Sequence, residues 1–296
     1  DTYFGTKSWE QAESDMLRQC FDLVCQKAGL PPEQLDYVLS GDLLNQCVGS
    51  AYAMRDIGVP YLGLYGACST MAESLLLAAA FVDAGFARTA AALTSSHFCT
   101  AERQYRMPVP YGSQRTPTAQ WTATGSGCCI VAESAEGPFI THVTTGRIID
   151  KGITDANNMG AAMAPAAAAT LLQYLADTHA ELRDFDCIYT GDLGLVGSQM
   201  LRELLAAEGL LLKNHADCGC LLYDAEEQRV KSGGSGAGCC AAVLCGHILP
   251  KLLRRGSRRV LFLATGALMS QTTFLQKESI PAVAHLVELT APEKES

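Results

Sequence analysis

The sequence predicts an α/β protein built from two similar halves with mostly parallel sheets. Helices alternate with nearly continuous apolar strands, a pattern typical of parallel sheets that are covered on both faces. The same order of elements starts again near residue 155 with matching turns. Ser40-Gly41-Asp42-Leu43 in the first half corresponds to Thr190-Gly191-Asp192-Leu193 in the second. We therefore predict one half over residues 1–150 and the other over residues 151–296.

The elements of the first half follow from periodicity and punctuation. Apolar residues recur at helical spacing from Ser8 to Ala28, and Gly29 ends that helix. Because the chain starts at Asp1 without a strand ahead of this helix, we expect the first strand to lie before Asp1. The predicted elements are a helix over 8–28, a strand over 36–40, a helix over 44–57, a strand over 61–65, a helix from Cys68 to Gly85 and a strand over 89–94.

Residues 98–120 interrupt the alternation of strands and helices. The stretch is irregular and contains three arginines and three prolines. A long irregular segment inside a compact domain is usually either disordered or part of a site. Strands are predicted again over 127–132 and 140–149, after which the second half begins.

Composition excludes several classes of function. The net charge of −9, from 22 basic and 31 acidic side chains, argues against nucleic acid as a partner. Apolar runs such as 75–82 are too short to cross a bilayer, so no transmembrane segment is expected. The 13 cysteines lack the spacing of a zinc ribbon. We interpret them as small apolar side chains in a reducing compartment, and we predict neither a metal site nor a cofactor.

Cys68 lies where a predicted strand turns into a helix. The free N–H groups and the dipole of a helix start favour an anion, so a thiol there ionises more easily and becomes a better nucleophile. A tight turn that has room only for a small side chain explains the cysteine equally well. Both interpretations stay open from the residues alone.

Several polar residues follow strands of the two halves. Strand ends of a duplicated sheet can meet across a pseudo-twofold axis, and ligands bind beyond the carboxyl ends of such strands. Each residue also has a structural interpretation, because aspartates after strands cap helices and a buried histidine can be structural. The residues expected in one pocket are Asp42, Cys68, His97, Asp192 and the glycine-rich loop at 233–238.

Stretches spread over nearly the whole chain carry a family resemblance. They lie at 40–46, 63–71, 92–97, 100–106, 163–168, 190–194 and 264–268. Together they resemble the stage V sporulation protein AD family within the thiolase-like superfamily. Cys68 sits where thiolases and ketoacyl synthases carry the cysteine that accepts the acyl group. The resemblance implies two βαβαβαββ-type halves in a five-layer α-β-α-β-α architecture.

The resemblance also implies a function and partners. It implies a protein of spore-forming bacteria that binds dipicolinic acid, a pyridine dicarboxylate, alone or as its calcium chelate, for uptake into the developing spore. It implies a homodimer that pairs through the strand at 89–94. It further implies synthesis in the cytoplasm and a peripheral position at the forespore or spore inner membrane, beside other proteins of the same operon.

A dicarboxylate needs hydrogen-bond donors and an apolar wall. Arg115 and the glycine-loop amides add to the donors, and Tyr65, Tyr105 and Tyr111 are candidates for the wall. The residues predicted to bind the ligand are Asp42, Cys68, His97, Arg103, Arg106, Asp192 and Ser235.

Two alternatives to a binding protein stay open. One is an active acyltransferase, in which Cys68 accepts an acyl group from coenzyme A or a carrier protein and His97 is its base. Condensing enzymes of the superfamily use a histidine from the second half, but Asp192 stands there, and Ser235 or Gly236 stands near the expected asparagine. A carboxylate cannot donate hydrogen bonds to a thioester oxyanion unless it is protonated, and it raises the pKa of a nearby thiol. The other alternative is a structural subunit of a membrane transporter.

Overall fold

Two β-sheets with a helix layer between them organise the chain. The computed structural model describes residues 1–105, 115–134 and 136–292. One sheet has four strands in the order β2-β1-β3-β5, and the other has five in the order β6-β11-β10-β7-β8. A two-stranded ribbon, β4-β9, lies beside them.

The four-stranded sheet comes from the first half. Its strands are β1 (Tyr37–Gly41), β2 (Tyr61–Gly63), β3 (Thr89–Ser96) and β5 (Gly125–Ala132). Strand β1 runs parallel to both β2 and β3, whereas β5 runs antiparallel to β3. The strand predicted over 89–94 therefore has a partner along each edge. The expectation that a second copy pairs with this strand is wrong, because its backbone N–H and C=O groups are already used inside the sheet.

The five-stranded sheet repeats this arrangement. Strands β7 (Cys187–Thr190), β8 (His215–Asp217) and β10 (Arg259–Ala267) are parallel neighbours, and β11 (Ala282–Thr290) runs antiparallel to β10. The fifth strand, β6 (Phe139–Thr144), pairs with β11. It belongs to the second sheet although it precedes residue 150, where the sequence predicts the boundary between the halves.

Helix ends follow their capping residues. Ser8 caps α1 through its side chain, and Gly29 ends it with φ +61°. The helices are α1 (Trp9–Ala28), α2 (Val48–Met54), α3 (Thr70–Asp83), α4 (Phe98–Tyr105), α5 (Met159–Thr178), α6 (Gly194–Ala207), α7 (Cys218–Leu222), α8 (Ala237–Val243), α9 (Leu249–Leu253) and α10 (Gln271–Leu275). A π-helical turn, Leu244–Ile248, joins α8 to α9.

Part of the segment 98–120, which is expected from the sequence to be irregular, forms secondary structure. It begins with α4, and Trp121–Thr122 just beyond it forms β4, which pairs with β9 (Gly234–Ser235). This pairing ties the segment to the glycine-rich loop of the second half. Arg106, Tyr111, Pro108 and Pro110 lie outside the described residues.

Three apolar clusters define five layers. Residues of α1 and α2 cover the outer face of the first sheet, and residues of α5 and α6 cover the outer face of the second. The third cluster contains α3 and α8 and reaches both sheets, so these helices form the central layer. The predicted five-layer α/β architecture is confirmed.

Only α5, among the helices in the described ranges, is long and apolar enough to cross a membrane. Its most apolar window is 67% buried inside the protein. Core helices of globular proteins pass the same test of length and composition, so this helix is weak evidence of a membrane span.

Candidate functional site around Cys68

Cys68 lies in a 3-10 turn, Ala67–Ser69, directly before α3. Ala67 adopts φ +51°, and the turn closes through hydrogen bonds from the Ser69 hydroxyl to the Gly66 carbonyl and from the Thr70 hydroxyl to the Ala67 carbonyl. Gly266 on β10 packs against this turn so closely that a Cβ atom would lie 2.1 Å from the Gly66 oxygen. The turn from one half is thus held against a strand of the other.

Asp192 brings the second half to the thiol. The residue follows β7 and is fully buried. Its Oδ2 atom accepts hydrogen bonds from the Ser235 hydroxyl and the Gly236 N–H, each at 2.9 Å, and Oδ1 accepts one from the Thr265 hydroxyl at 2.9 Å. The Ser235 oxygen lies 4.0 Å from Cys68 Sγ. Cys68, Asp192 and Ser235, all predicted as site residues, therefore meet.

The glycine-rich loop reaches this position because Gly236 has φ +103°. A Cβ atom there would lie 2.7 Å from the Ser96 hydroxyl at the end of β3. Only glycine combines this backbone conformation with such a close approach. The loop then continues directly into α8, which begins at Ala237.

The electrostatics of the cluster keep the thiol protonated. Burial raises the pKa of Cys68 well above its ordinary value, and the charge of Asp192 and its hydrogen bond with the thiol raise it further. Burial also raises the pKa of Asp192, to about 6. At neutral pH the site therefore holds a neutral thiol beside a mostly ionised carboxylate, which opposes the activation expected from the helix start.

Asp42 does not share this site, although it is the counterpart of Asp192 in the repeat. Its Oδ1 atom accepts from the Leu44 N–H at 2.7 Å, and Oδ2 accepts from the Ser50 N–H at 2.6 Å and the Ser50 hydroxyl at 2.8 Å. Both oxygens are thus used to hold the chain that enters α2. Cys47, not Asp42, is the N-cap residue of α2, but Asp42 accepts from the Ser50 N–H in the first turn of that helix, so it has a structural role. Ligand binding by Asp42 stays a prediction.

His97 also points elsewhere. Its Nδ1 atom accepts from the Cys99 N–H at 3.1 Å, so the proton lies on Nε2, which donates to the Thr2 carbonyl at 2.9 Å. Burial lowers the pKa of this histidine. Because both ring nitrogens bind these partners, the role of His97 as base for Cys68 stays a prediction without a supporting contact.

Comparison with known proteins identifies the family. The chain matches the family described as stage V sporulation protein AD (SpoVAD) over residues 1–290. It is 45% identical over 286 residues to stage V sporulation protein AD of Bacillus subtilis (strain 168), a match that covers 96% of this chain and 84% of that relative. The chain belongs to the SpoVAD family.

Solved structures confirm the thiolase-like fold of this SpoVAD-family chain. AbyA1, a tetronic acid condensing enzyme, matches with a TM-score of 0.63 at 20% identity, covering 94% of this chain and 86% of that one. The 3-oxoacyl-[acyl-carrier-protein] synthase III of Aquifex aeolicus VF5 matches with a TM-score of 0.60 at 15% identity, covering 94% and 84%. At these identities the likeness concerns the fold alone. The chain is a sporulation protein on a thiolase-like scaffold.

The two predicted arginines that the structure of this SpoVAD-family chain describes form their ion pairs away from the cluster. Arg103 forms an ion pair with Glu10 and lies over the Trp9 ring, 5.2 Å from its centre. Arg115 is buried, with its guanidinium 2.8 Å from the Glu102 carboxylate. These contacts hold Arg103 and Arg115 away from Cys68, Asp192 and Ser235. Arg106 lies outside the described residues.

Arg115 acts on the site through its neighbours. Its guanidinium lies 3.9 Å from the centre of the Trp121 ring and donates to the Gln120 carbonyl at 2.8 Å. The Gln120 side chain in turn donates to the backbone carbonyls of Asp192 and Gly234, at 2.5 and 3.0 Å. Arg115 thus fixes the segment that holds the two site loops together.

Two tyrosines form the aromatic side of the cluster. The Tyr105 hydroxyl donates to the Leu43 carbonyl at 2.7 Å, and the Tyr65 hydroxyl lies 3.0 Å from that of Tyr105. Tyr105 and Cys68 pack against one small buried apolar group. Tyr111, the third candidate, lies outside the described residues. The members of the apolar group are Leu43, Ala67, Ala101 and Ala237.

The sequence interpretation missed Thr265 and Gln120. Thr265 could have been found from the repeat, because it corresponds to Thr94. The Thr94 hydroxyl likewise donates to the end of the neighbouring strand, at the Gly41 carbonyl. No signal pointed to Gln120. The Cys240 sulfur lies 3.5 Å from the backbone oxygen of Cys68.

Proposed function

We propose that this SpoVAD-family chain binds dipicolinic acid and serves its uptake into the developing spore. Membership of a sporulation family supports the setting, and the cluster around Cys68 supports a small-molecule site. The observation that carries the proposal is Asp192, which faces Cys68 where the condensing enzymes of the superfamily use a histidine.

Asp192 makes acyl transfer unfavourable. A base for Cys68 must take the thiol proton and then stabilise the thiolate. The ionised carboxylate instead raises the pKa of the thiol, as does burial. The same position can serve a binding protein, because Ser235 and Thr265 hold the carboxylate in place.

The charge of the ligand must be balanced at this site. Neither described arginine reaches the cluster, and a dicarboxylate is repelled by ionised Asp192. A proton solves this, because protonated Asp192, with a pKa near 6, is neutral and no longer repels a ligand carboxylate. Calcium also solves it, because the pyridine nitrogen and two carboxylates of dipicolinate chelate the ion, whose charge offsets theirs. The ring then packs beside Tyr65 and Tyr105.

Titration calorimetry with dipicolinic acid, with and without calcium, tests the proposal. Without calcium, we expect affinity to fall as pH rises through about 6, where Asp192 ionises. With calcium, we expect that fall to disappear, and Asp192→Asn should remove both effects. Absence of saturable binding under all these conditions would refute the proposal.

Acyl transfer is tested on the same protein with acetyl-coenzyme A and intact mass measurement. We expect no thioester on Cys68. Cys68→Ala should change dipicolinate affinity by less than about threefold, which corresponds to ~0.6 kcal/mol for a lost contact. A thioester on Cys68 together with unmeasurable dipicolinate binding would favour the acyltransferase.

The proposal also includes a peripheral position at the spore inner membrane beside proteins of the same operon. Because the helices in the described ranges give only weak evidence of a membrane span, this position relies on such partners or on the lipid surface. Fractionation of sporulating cells tests this: the protein should sediment with membranes and be released by carbonate at high pH. Recovery only in the soluble fraction would contradict it.

A further inference from the structure

Two cysteines outside the Cys68 site meet at the edge of the central helix layer. Cys129 lies on β5, and Cys245 lies in the π-helical turn Leu244–Ile248. Their sulfur atoms are 3.8 Å apart although 116 residues separate them in sequence. Both residues are partly exposed. The fold therefore brings together two thiols of partly exposed residues from distant parts of the chain.

The π-helical turn positions Cys245. It inserts a wider turn between α8 and α9, and such bulges shift the side chains that follow relative to a regular helix. The Cys245 thiol donates to the Cys128 carbonyl at 3.7 Å, which holds its sulfur over β5. Cys129 faces the central layer, whereas Cys128 packs against the outer cluster that contains α1.

The chemical environment distinguishes Cys245 from the cysteines around it. The hydrogen bond from Cys129 lowers the pKa of Cys245 more than burial raises it, and the Lys27 ammonium at the end of α1 lowers it further. In contrast, the hydrogen bond to Cys245 and burial raise the pKa of Cys129 well above the ordinary value, and burial does the same for Cys128 and Cys240. Cys245 is thus the sulfur that favours the reactive thiolate, and Cys129 is a second thiol in contact with it.

We propose that Cys129 and Cys245 form a reversible thiol–disulfide pair that a low-molecular-weight disulfide oxidises. The Cys245 thiolate attacks one sulfur of the small disulfide, which forms a mixed disulfide and releases one small thiolate. Cys129 then loses its proton and attacks the Cys245 sulfur, which releases the second small thiolate. Two protein thiols are oxidised, and one small disulfide is reduced to two thiols.

The disulfide bond requires the two sulfurs to approach from 3.8 Å to a bond length of about 2.05 Å. The bond would tie the last strand of the first sheet to the helix that leaves the glycine-rich loop. Because it closes a long loop in the unfolded chain, it should raise the unfolding temperature.

Oxidation of the native full chain with glutathione disulfide tests the proposal. All 13 cysteines are free in the structure, so counting thiols after denaturation should show a loss of two. Peptide mapping should identify a Cys129–Cys245 link without bound glutathione, and dithiothreitol should reverse it. A higher unfolding midpoint is expected for the oxidised form.

Variants assign the bond. Cys129→Ser and Cys245→Ser should each abolish the two-thiol loss, and in Cys129→Ser the glutathione should remain on Cys245. Cys187→Ser, which changes a partly exposed cysteine on β7, should retain the full loss. Mapping of wild-type protein needs no variant, so misfolding of a variant leaves the test intact. An unchanged thiol count, a link between other cysteines or stable glutathione adducts on the wild type would overturn the proposal.

Discussion

The hydroxyl of Ser235 donates a hydrogen bond to Asp192 at 2.9 Å, and its oxygen lies 4.0 Å from Cys68 Sγ. This contact joins three loops: the end of β7, the start of α8 and the turn before α3. The carboxylate and the serine act oppositely on the thiol: Asp192 raises the pKa of Cys68, whereas a hydrogen bond from Ser235, formed when its single hydroxyl proton turns from Asp192 to the sulfur, lowers it. Burial is the largest cause of the raised pKa, and these two side chains of the second half modulate it.

Replacing Asp192 by Asn should make Cys68 more reactive. Removing the negative charge lowers the pKa of the thiol, although burial, the larger cause, keeps it above the ordinary value. A lower pKa increases the fraction of thiolate but makes each thiolate a weaker nucleophile. The net effect is that alkylation should accelerate by about threefold for each unit by which the pKa falls. The rate of modification of Cys68 by iodoacetamide, followed by mass spectrometry of its peptide, measures this.

Ser235→Ala is the matched variant of opposite sign. It removes a hydrogen bond that lowers the pKa of Cys68, so alkylation should slow. Equal rates in wild type, Asp192→Asn and Ser235→Ala would show that these two side chains do not modulate the pKa of the thiol.

The internal repeat predicted the architecture but not the divergence of its two aspartates. Asp42 is held by Ser50, only eight residues away in sequence. The partners of Asp192 are Ser235 and Thr265, at separations of 43 and 73 residues. Equal local sequence thus leads to different roles, because the partners of Asp192 come from distant parts of the chain whereas the partner of Asp42 lies nearby.

Side-chain direction and strand order explain the other differences between expectation and structure. His97 follows β3 as predicted, but its ring turns to the N-terminal segment at Thr2. Strand order could not be read from the alternation of elements, and β5 occupies the edge of β3 that was expected to meet a second copy. Both outcomes depend on contacts between segments that carry no common pattern in the sequence.

Arg115→Ala should destabilise the protein much more than Arg103→Ala. Arg115 is buried, pairs with Glu102 and holds Gln120, and loss of one partner of a buried ion pair costs about 3–5 kcal/mol. Arg103 is half exposed and pairs with Glu10, so its loss should cost about 0–1 kcal/mol. Urea unfolding of both variants measures the two losses.

Dipicolinate titration of the same variants separates structure from binding. Arg103→Ala should leave the affinity unchanged because Arg103 lies beside Trp9. Weaker binding by a folded Arg103→Ala protein would return this arginine to the ligand site.

We expect a homodimer to form through β2, which among the described residues is an edge strand of its sheet. Exposed apolar side chains accompany this short strand, and an edge strand favours pairing with a second copy. Leu62→Lys should therefore shift the molar mass in solution, measured by light scattering, towards the monomer. The exposed side chains are Val48, Tyr52, Leu62 and Tyr65.

Leu211→Lys is the control for that prediction. Leu211 is 70% exposed and precedes β8, the corresponding edge strand of the second sheet. It should leave the molar mass of the dimer unchanged. A monomeric wild type, or dissociation by Leu211→Lys alone, would contradict pairing through β2.

Glu13 should make the folded state less stable as pH rises. The residue is buried on α1, and burial, with the charge of Asp42 adding to it, raises its pKa from 4.5 to about 8. Between these values the folded chain keeps a proton that the unfolded chain releases. This stabilisation is fully present below pH 4.5 and is lost as pH rises through about 8, with a slope of up to about 1.4 kcal/mol per pH unit.

Glu13→Gln should flatten this dependence, because the amide resembles the protonated carboxyl, with one oxygen that can accept from Ser95 or Thr100 and no ionisable proton. The free energy of urea unfolding, measured at several values from about pH 6 to pH 9, should fall less steeply in the variant than in wild type. Glu33→Gln, at an exposed position, should follow the wild type. Parallel curves for Glu13→Gln and wild type would mean that Glu13 is already ionised in the folded protein, in which case Ser95 and Thr100 stabilise its charge more than burial opposes it.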